Sequence, residues 1–107
     1  MNKSSGVLRL INEVPSGGGS PCYLGVNSTV GFLVVANYFS GNVSVIPIDN
    51  STGALMPATQ VISISSDVNS HIHCTHLYEN YLTVVDKGLD FVYQYKLSPT
   101  GIYILFS

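Results

Sequence analysis

Short apolar runs separated by polar turn clusters follow one another along the whole chain, and each run has the length of a β-strand. Two of them, 33–36 and 82–85, are nearly all apolar, as expected of strands that are buried on both faces. No long stretch keeps the 3.6-residue period of an amphipathic helix, so the pattern predicts an all-β fold. The predicted strands are 7–14, 22–26, 31–37, 42–48, 60–64, 71–77, 81–86 and 91–97, with the start of a further strand at 102–106.

This pattern repeats at a spacing of 49 residues. The segment 32–37, with sequence FLVVAN, aligns with 81–86, with sequence YLTVVD, and the register continues with Val43 over Val92. A repeat of about 40 to 50 residues made of short strands is typical of a β-propeller blade, and a propeller has about four to eight blades. The sequence therefore predicts a propeller fragment: an outer strand and loop of a preceding blade at 7–19, a blade at 20–65, and a second, incomplete blade at 66–107.

Composition narrows the choice of partners. Only 9% of the residues are charged and 46% are hydrophobic, whereas about a quarter of a soluble domain is usually charged. A blade buries both faces of its sheet against its neighbours, so uncovered flanks predict self-association. The net charge of −2 and the absence of a basic cluster argue against nucleic acid as a partner.

The same sequence predicts a cytoplasmic protein without a membrane segment. The apolar runs are far shorter than the roughly 20 residues that span a bilayer, and the polar N-terminus leads into no signal-like apolar core. In that reducing compartment Cys22 and Cys74 are expected to be free thiols.

The motifs of both repeats resemble one known family. In the first repeat they are Asn12-Glu13, Pro15, Gly17, Pro21-Cys22, 33–38, Ser40-Gly41, Val43, Val45 and Pro47-Ile48; in the second they are 71–73, Asp86, Gly88, Asp90, Val92, Tyr95 and Leu97. Together they resemble the lactonase family of seven-bladed propellers, from about residue 8 to residue 97. The resemblance implies a fragment of a seven-bladed β-propeller.

The resemblance also implies an activity. It points to hydrolysis of a small sugar lactone, 6-phosphogluconolactone of the pentose phosphate pathway in the first place, by attack of water and without an organic cofactor. Arg and Glu active-site candidates of that family lie in later blades, outside this chain. Two alternatives stay open: a carboxymuconate-type cyclase on the same fold, and a non-catalytic propeller piece that serves in binding or assembly.

Candidate site residues follow from the expected topology. In a propeller, the loop that enters the innermost strand and the loop between the second and third strands lie at the same end. Opening a lactone requires a base that activates water, and histidine suits this task because it titrates near neutral pH. His71 and His73, at the start of the innermost strand, are therefore the catalytic candidates. The candidates for substrate binding lie in the second-to-third turns and are Asn37, Tyr38, Asp86 and Lys87.

Each of these candidates has a structural alternative. A histidine can be an ordinary polar residue of the channel wall, and Asp86 can serve only to bond its own turn. The cluster His71, His73, Cys74 and His76 suggests a metal site, but side chains alternate along a strand, so the four cannot converge on one ion and no metal is expected. At the 49-residue spacing Cys22 lies opposite His71 and is expected to be a small filler. The glycine run 17–19 is expected to be a flexible loop.

Overall fold

The computed structural model describes residues 3–27 and 31–106. It contains two four-stranded sheets, each an antiparallel meander in which every strand pairs with the next along the chain. None of the described residues forms a helix, and the predicted all-β fold of two four-stranded blades is confirmed. The first sheet contains β1 (Pro21–Asn27), β2 (Phe32–Asn37), β3 (Asn42–Pro47) and β4 (Gln60–Ser63); the second contains β5 (Ile72–Tyr78), β6 (Tyr81–Asp86), β7 (Phe91–Leu97) and β8 (Tyr103–Leu105).

The main core lies between the two sheets. One face of the first sheet packs against the second sheet, and the side chains at the centre of this interface are fully buried. This arrangement explains why β2 is almost wholly apolar: its other face is covered as well, by a smaller cluster in which Val14 and Leu55 participate. Burial of apolar surface is the dominant stabilising term of such a packing. The main core comprises Val34, Ala36, Val43, Val45, Ile72, Leu82, Val84, Tyr95 and Tyr103.

A side-chain amide links neighbouring repeats in the same way twice. The Gln60 amide on β4 donates to the Tyr103 carbonyl at 2.9 Å and accepts the Tyr103 N–H at 3.0 Å. The Asn12 amide binds the carbonyl and N–H of Leu55 at 2.8 and 2.9 Å, across the same separation of 43 residues. In both cases the amide takes the place that a strand partner would have. Asn12 therefore lies against the first repeat as Gln60 lies against the second.

The segment 7–14, which contains Asn12, differs from the prediction. Residues 7–14 form no strand, and Leu8 and Leu10 are 78% and 76% exposed. Alternation of apolar and polar residues is a local property, whereas a strand also needs a neighbour for its backbone hydrogen bonds. Within the described residues no strand pairs with this segment. The division into blades at 20–65 and 66–107 stays a prediction.

The glycine run is also not the free loop that its composition predicts. The Asn37 side chain donates to the Ser16 carbonyl at 3.0 Å, and the Asn42 side chain donates to the Gly17 carbonyl at 3.2 Å. A methyl group at Gly18 would lie 2.6 Å from Oδ1 of Asn42. Gly17 and Gly18 are therefore needed for the close approach of this loop to the end of the first sheet.

The remaining elements fit the predicted limits closely. The outer strands β4 and β8 are shorter than expected, and β3 ends at Pro47, whose ring nitrogen cannot donate to a strand partner. The described part of the chain contains no helix that could cross a membrane.

Candidate functional site: a histidine at the junction of the two sheets

His71 and Tyr38 meet where the two sheets join. Tyr38 begins the turn between β2 and β3, and His71 directly precedes β5, so the contact joins the end of one sheet to the start of the other. The two rings stack with centroids 4.7 Å apart and an interplanar angle of 10°. The Tyr38 ring also meets His73 edge-on at 6.3 Å. The topology thus brings both predicted catalytic candidates and one predicted binding residue together.

A hydrogen bond fixes the protonation pattern of the His71 ring. Nδ1 of His71 lies 3.0 Å from the main-chain carbonyl oxygen of Tyr38. A carbonyl oxygen can only accept, so Nδ1 carries the hydrogen and donates it. In the neutral ring Nε2 is then the free acceptor. A histidine in this state can take a proton from water.

Asp86 holds the segment that carries His71. Its Oδ2 accepts the Ser70 hydroxyl at 2.5 Å, and its Oδ1 accepts the main-chain N–H of His71 at 2.9 Å and of Leu89 at 3.1 Å. Burial opposes the charge on this carboxyl group, but the hydrogen bonds from Ser70, His71, Leu89 and Gly88 outweigh burial and hold the pKa of Asp86 below its ordinary value. Asp86 is therefore a buried carboxylate at neutral pH.

Two glycines allow the turns of both sheets to close on this segment. A methyl group at Gly41, in the β2–β3 turn, would lie 2.7 Å from the Ser70 carbonyl oxygen. A methyl group at Gly88, in the β6–β7 turn, would overlap the Asn69 carbonyl oxygen and lie 2.9 Å from its carbon. Residues 69–71 are thus enclosed by backbone on two sides.

The other predicted binding residues lie in different surroundings. Asn37 is fully buried and bonds to Ser16 and to the Ser44 hydroxyl, at 3.3 Å from the latter, so its side chain belongs to the end of the first sheet. Lys87 follows Asp86 and is exposed, and its main-chain N–H donates to the His71 carbonyl at 2.9 Å. His73 is exposed.

The counterpart of Cys22 in the second repeat is His73 and not His71. The first strand of each sheet contains one bulge, at Cys22 in β1 and at His73 in β5, because the register shifts on either side of these two residues. The Cys22 thiol lies 3.3 Å from the His73 carbonyl oxygen, and both cysteines are free. The bulge at His73 also breaks the strict side-to-side alternation expected for this strand. Among the described residues no group of three or more His, Cys, Asp or Glu could hold a metal ion.

A hydroxyl-rich cavity beside His71 was not predicted. It has a volume of about 380 Å³ and lies between the β2–β3 turn and the connection from β4 to β5. Its serines offer donors and acceptors for a polyhydroxylated ligand. The sequence signal was the run Ser65-Ser66-Asp67, which reads as an ordinary loop without knowledge of its neighbours. The cavity is lined by Phe39, Ser40, Ser65, Ser66, Asp67, Val68, Ser70 and His71.

Comparison with known proteins agrees with this fold. The chain is 30% identical over 104 residues to 6-phosphogluconolactonase of Bacillus subtilis strain 168, which covers 91% of this chain and 30% of that protein. It is 37% identical over 70 residues to 6-phosphogluconolactonase of Formosa agariphila, covering 64% of this chain and 20% of the relative. This chain thus spans less than a third of the length of these relatives.

A solved structure matches over nearly the whole chain. The crystal structure of a provisionally assigned 6-phosphogluconolactonase from Bacteroides uniformis superposes with a TM-score of 0.86 at 30% identity, over 98% of this chain and 33% of that one. The model of the family described as lactonase, 7-bladed β-propeller, matches residues 1–104. The chain therefore belongs to the seven-bladed β-propeller lactonase family, as its motifs predicted.

Proposed function

We propose that this chain is a segment of a lactonase-type hydrolase that converts 6-phosphogluconolactone to 6-phosphogluconate. Family membership and the names of its relatives support this activity. The observation that carries it is His71, which lies at the edge of a hydroxyl-rich cavity with Nδ1 donating to Tyr38 and Nε2 left as an acceptor. We also propose a cytoplasmic location.

In this reaction His71 acts as the base. Water adds to the lactone carbonyl while its proton passes to Nε2; the ring C–O bond of the tetrahedral intermediate then breaks, and the departing oxygen takes this proton back from Nε2, which leaves the neutral histidine and the carboxylic acid, whose ionisation releases a proton to the solvent. Ser40, Ser65 and Ser66 of the cavity would bond the sugar hydroxyls. The reaction also needs donors for the oxyanion and a cation for the 6-phosphate, for which the exposed Lys87 on the neighbouring turn is a candidate.

Hydrolysis above the spontaneous rate tests this proposal. Joined to the later blades that carry the family's Arg and Glu candidates, this chain is expected to accelerate the opening of freshly prepared 6-phosphogluconolactone, measured as acid release at constant pH. His71→Gln is expected to reduce the acceleration about 100-fold, the lower range for loss of a general base. His76→Gln is the matched control, because His76 is exposed on β5 and touches neither Tyr38 nor the cavity. A rate equal to the spontaneous one, or equal rates for His71→Gln and the unmodified chain, would contradict the proposal.

A second candidate function is assembly without catalysis. In the second sheet Phe91 is 58% exposed and Val92 is 64% exposed. Val43, the counterpart of Val92 in the first sheet, is fully buried. Such an apolar surface favours association with another sheet of the same kind. The native mass and the hydrolysis rate of this chain by itself test the second candidate: a closed oligomer without hydrolysis favours assembly.

The other alternative is a carboxymuconate-type cyclase, which shares this fold. Muconate-type compounds carry carboxylates and lack sugar hydroxyls, so the serines beside His71 favour the sugar lactone. Muconolactone serves as the comparison substrate in the same assay.

A further inference from the structure

Asp86 is tied to the catalytic candidate by main-chain contacts. Asp86 is 1% exposed, and its Oδ1 accepts the N–H of Leu89 in its own turn and the main-chain N–H of His71. Ser70, which donates to Oδ2, is 3% exposed. A substrate therefore cannot reach these oxygens without opening the turn, which argues against the direct substrate contact that the sequence suggested.

The contacts immobilise His71 from both sides of its Cα atom. Its N–H donates to Asp86, and its carbonyl accepts the N–H of Lys87 at 2.9 Å. With the backbone fixed in this way, the ring extends toward the other sheet and Nδ1 reaches the Tyr38 carbonyl. The β6–β7 turn thus controls a hydrogen bond that the ring makes with a different sheet.

We propose that Asp86 is a positioning residue, which holds the backbone of residues 70–71 so that the His71 ring keeps its hydrogen on Nδ1 and presents Nε2 as an acceptor. The effect of this positioning on the rate of lactone hydrolysis rests on the proposed lactonase function. The positioning itself does not, because it concerns the state of the free protein.

The tautomer of His71 tests the proposal without a substrate. Nitrogen chemical shifts of the imidazole, recorded on the unmodified chain above neutral pH, are expected to show hydrogen on Nδ1. Asp86→Ala and Ser70→Ala are expected to shift His71 toward hydrogen on Nε2, because the backbone that aims Nδ1 at Tyr38 is no longer held. Asp86→Asn is expected to retain the Nδ1 form, since its amide oxygen can accept the two N–H groups and its NH₂ can donate to the serine.

Asp49→Ala is the matched control. Asp49 bonds the Ser51 N–H at 2.9 Å and the Ser51 hydroxyl at 2.7 Å in a comparable turn, in the connection between β3 and β4. Its loss is expected to leave His71 unchanged. Retention of the Nδ1 form in both Asp86→Ala and Ser70→Ala would overturn the proposal, and if Asp86→Ala does not fold, Ser70→Ala alone decides. Lack of lactone hydrolysis would refute the proposed function and leave this inference standing.

Discussion

Replacing Gly88 with alanine is expected to lower the free energy of unfolding by about 3 kcal/mol, the upper range for overpacking. The added methyl group would overlap the backbone oxygen of Asn69 and come within 3.1 Å of the His71 ring at Cδ2. A backbone carbonyl cannot turn aside as a flexible side chain can, so residues 69–71 or the β6–β7 turn would have to move. Urea unfolding of the variant and the unmodified chain measures the loss.

Gly19→Ala is the control for this substitution. Gly19 also lies in a turn at this end of the molecule, but a methyl group there would meet its nearest atoms, in Ser40 and Phe39, at 3.4 to 3.6 Å, which is ordinary contact. Its effect on stability is expected to stay within about 1 kcal/mol. Equal stabilities for Gly88→Ala and Gly19→Ala would show that the two turns do not enclose the histidine segment as tightly as described.

Replacing Leu82 with alanine is expected to cost about 2 to 5 kcal/mol, because it opens a cavity between the two sheets. Leu82 is fully buried in the main core, so little of the lost contact can be recovered by relaxation. A small domain has only about 5 to 15 kcal/mol of total stability, and a loss of this size removes a large part of it.

Two other leucines calibrate this result. Leu33 is the repeat counterpart of Leu82 but lies in the smaller cluster and is 9% exposed, so Leu33→Ala is expected to cost less. Leu8 is 78% exposed, and Leu8→Ala is expected to change stability by less than about 0.5 kcal/mol. Denaturant unfolding of the three variants gives the order. A cost for Leu82→Ala no larger than that for Leu8→Ala would mean that the two sheets do not pack as one core.

The 49-residue repeat predicted the fold well, because it shows which strands occupy equivalent places in the two sheets as well as which segments favour the strand conformation. Strands β2 and β6 are central in their sheets and are separated by the 49-residue spacing at both ends. Each of them has a strand partner along both edges, and these partners define its limits. The outer elements are less regular, because one side of an outer strand has no partner to define its limits. This explains why β4 and β8 are shorter than predicted and why 7–14 is not a strand.

A small difference in loop length changed one detail of the site. The connection between β5 and β6 is shorter by two residues than the one between β1 and β2, so the first strands are offset by 51 residues instead of 49. This difference places Cys22 opposite His73. The 49-residue repeat aligns β2 with β6 correctly. It does not align β1 with β5, because the extra two residues between β1 and β2 cannot be located until the strands on both sides of them are known.

Chemical roles were harder to predict than positions. The topology indicated that Tyr38, His71 and His73 would lie at the same end of the sheets, because ends of strands are determined by their order; that their rings are in contact is known only from the structure. The sequence does not show that the carboxylate of Asp86 is buried and bonded to main-chain N–H groups. Its burial and its hydrogen bonds depend on how closely Gly41 and Gly88 let the two turns approach residues 69–71. Likewise, the sequence does not show that Ser65 and Ser66 line a cavity, because the opposite wall is formed by the β2–β3 turn, which is distant in sequence.

Binding of the reaction product at the junction of the sheets is the most direct test of the account. 6-Phosphogluconate is titrated into the isotopically labelled chain, with gluconate as a comparison that lacks the phosphate. Saturable changes are expected in the signals of His71, His73 and Tyr38. In His71→Gln the changes at His73 and Tyr38 are expected to be weaker, and in His76→Gln all three are expected to be unaltered. Absence of any change at these residues at saturating ligand, or changes confined to other parts of the chain, would contradict the placement of the site at the junction of the two sheets.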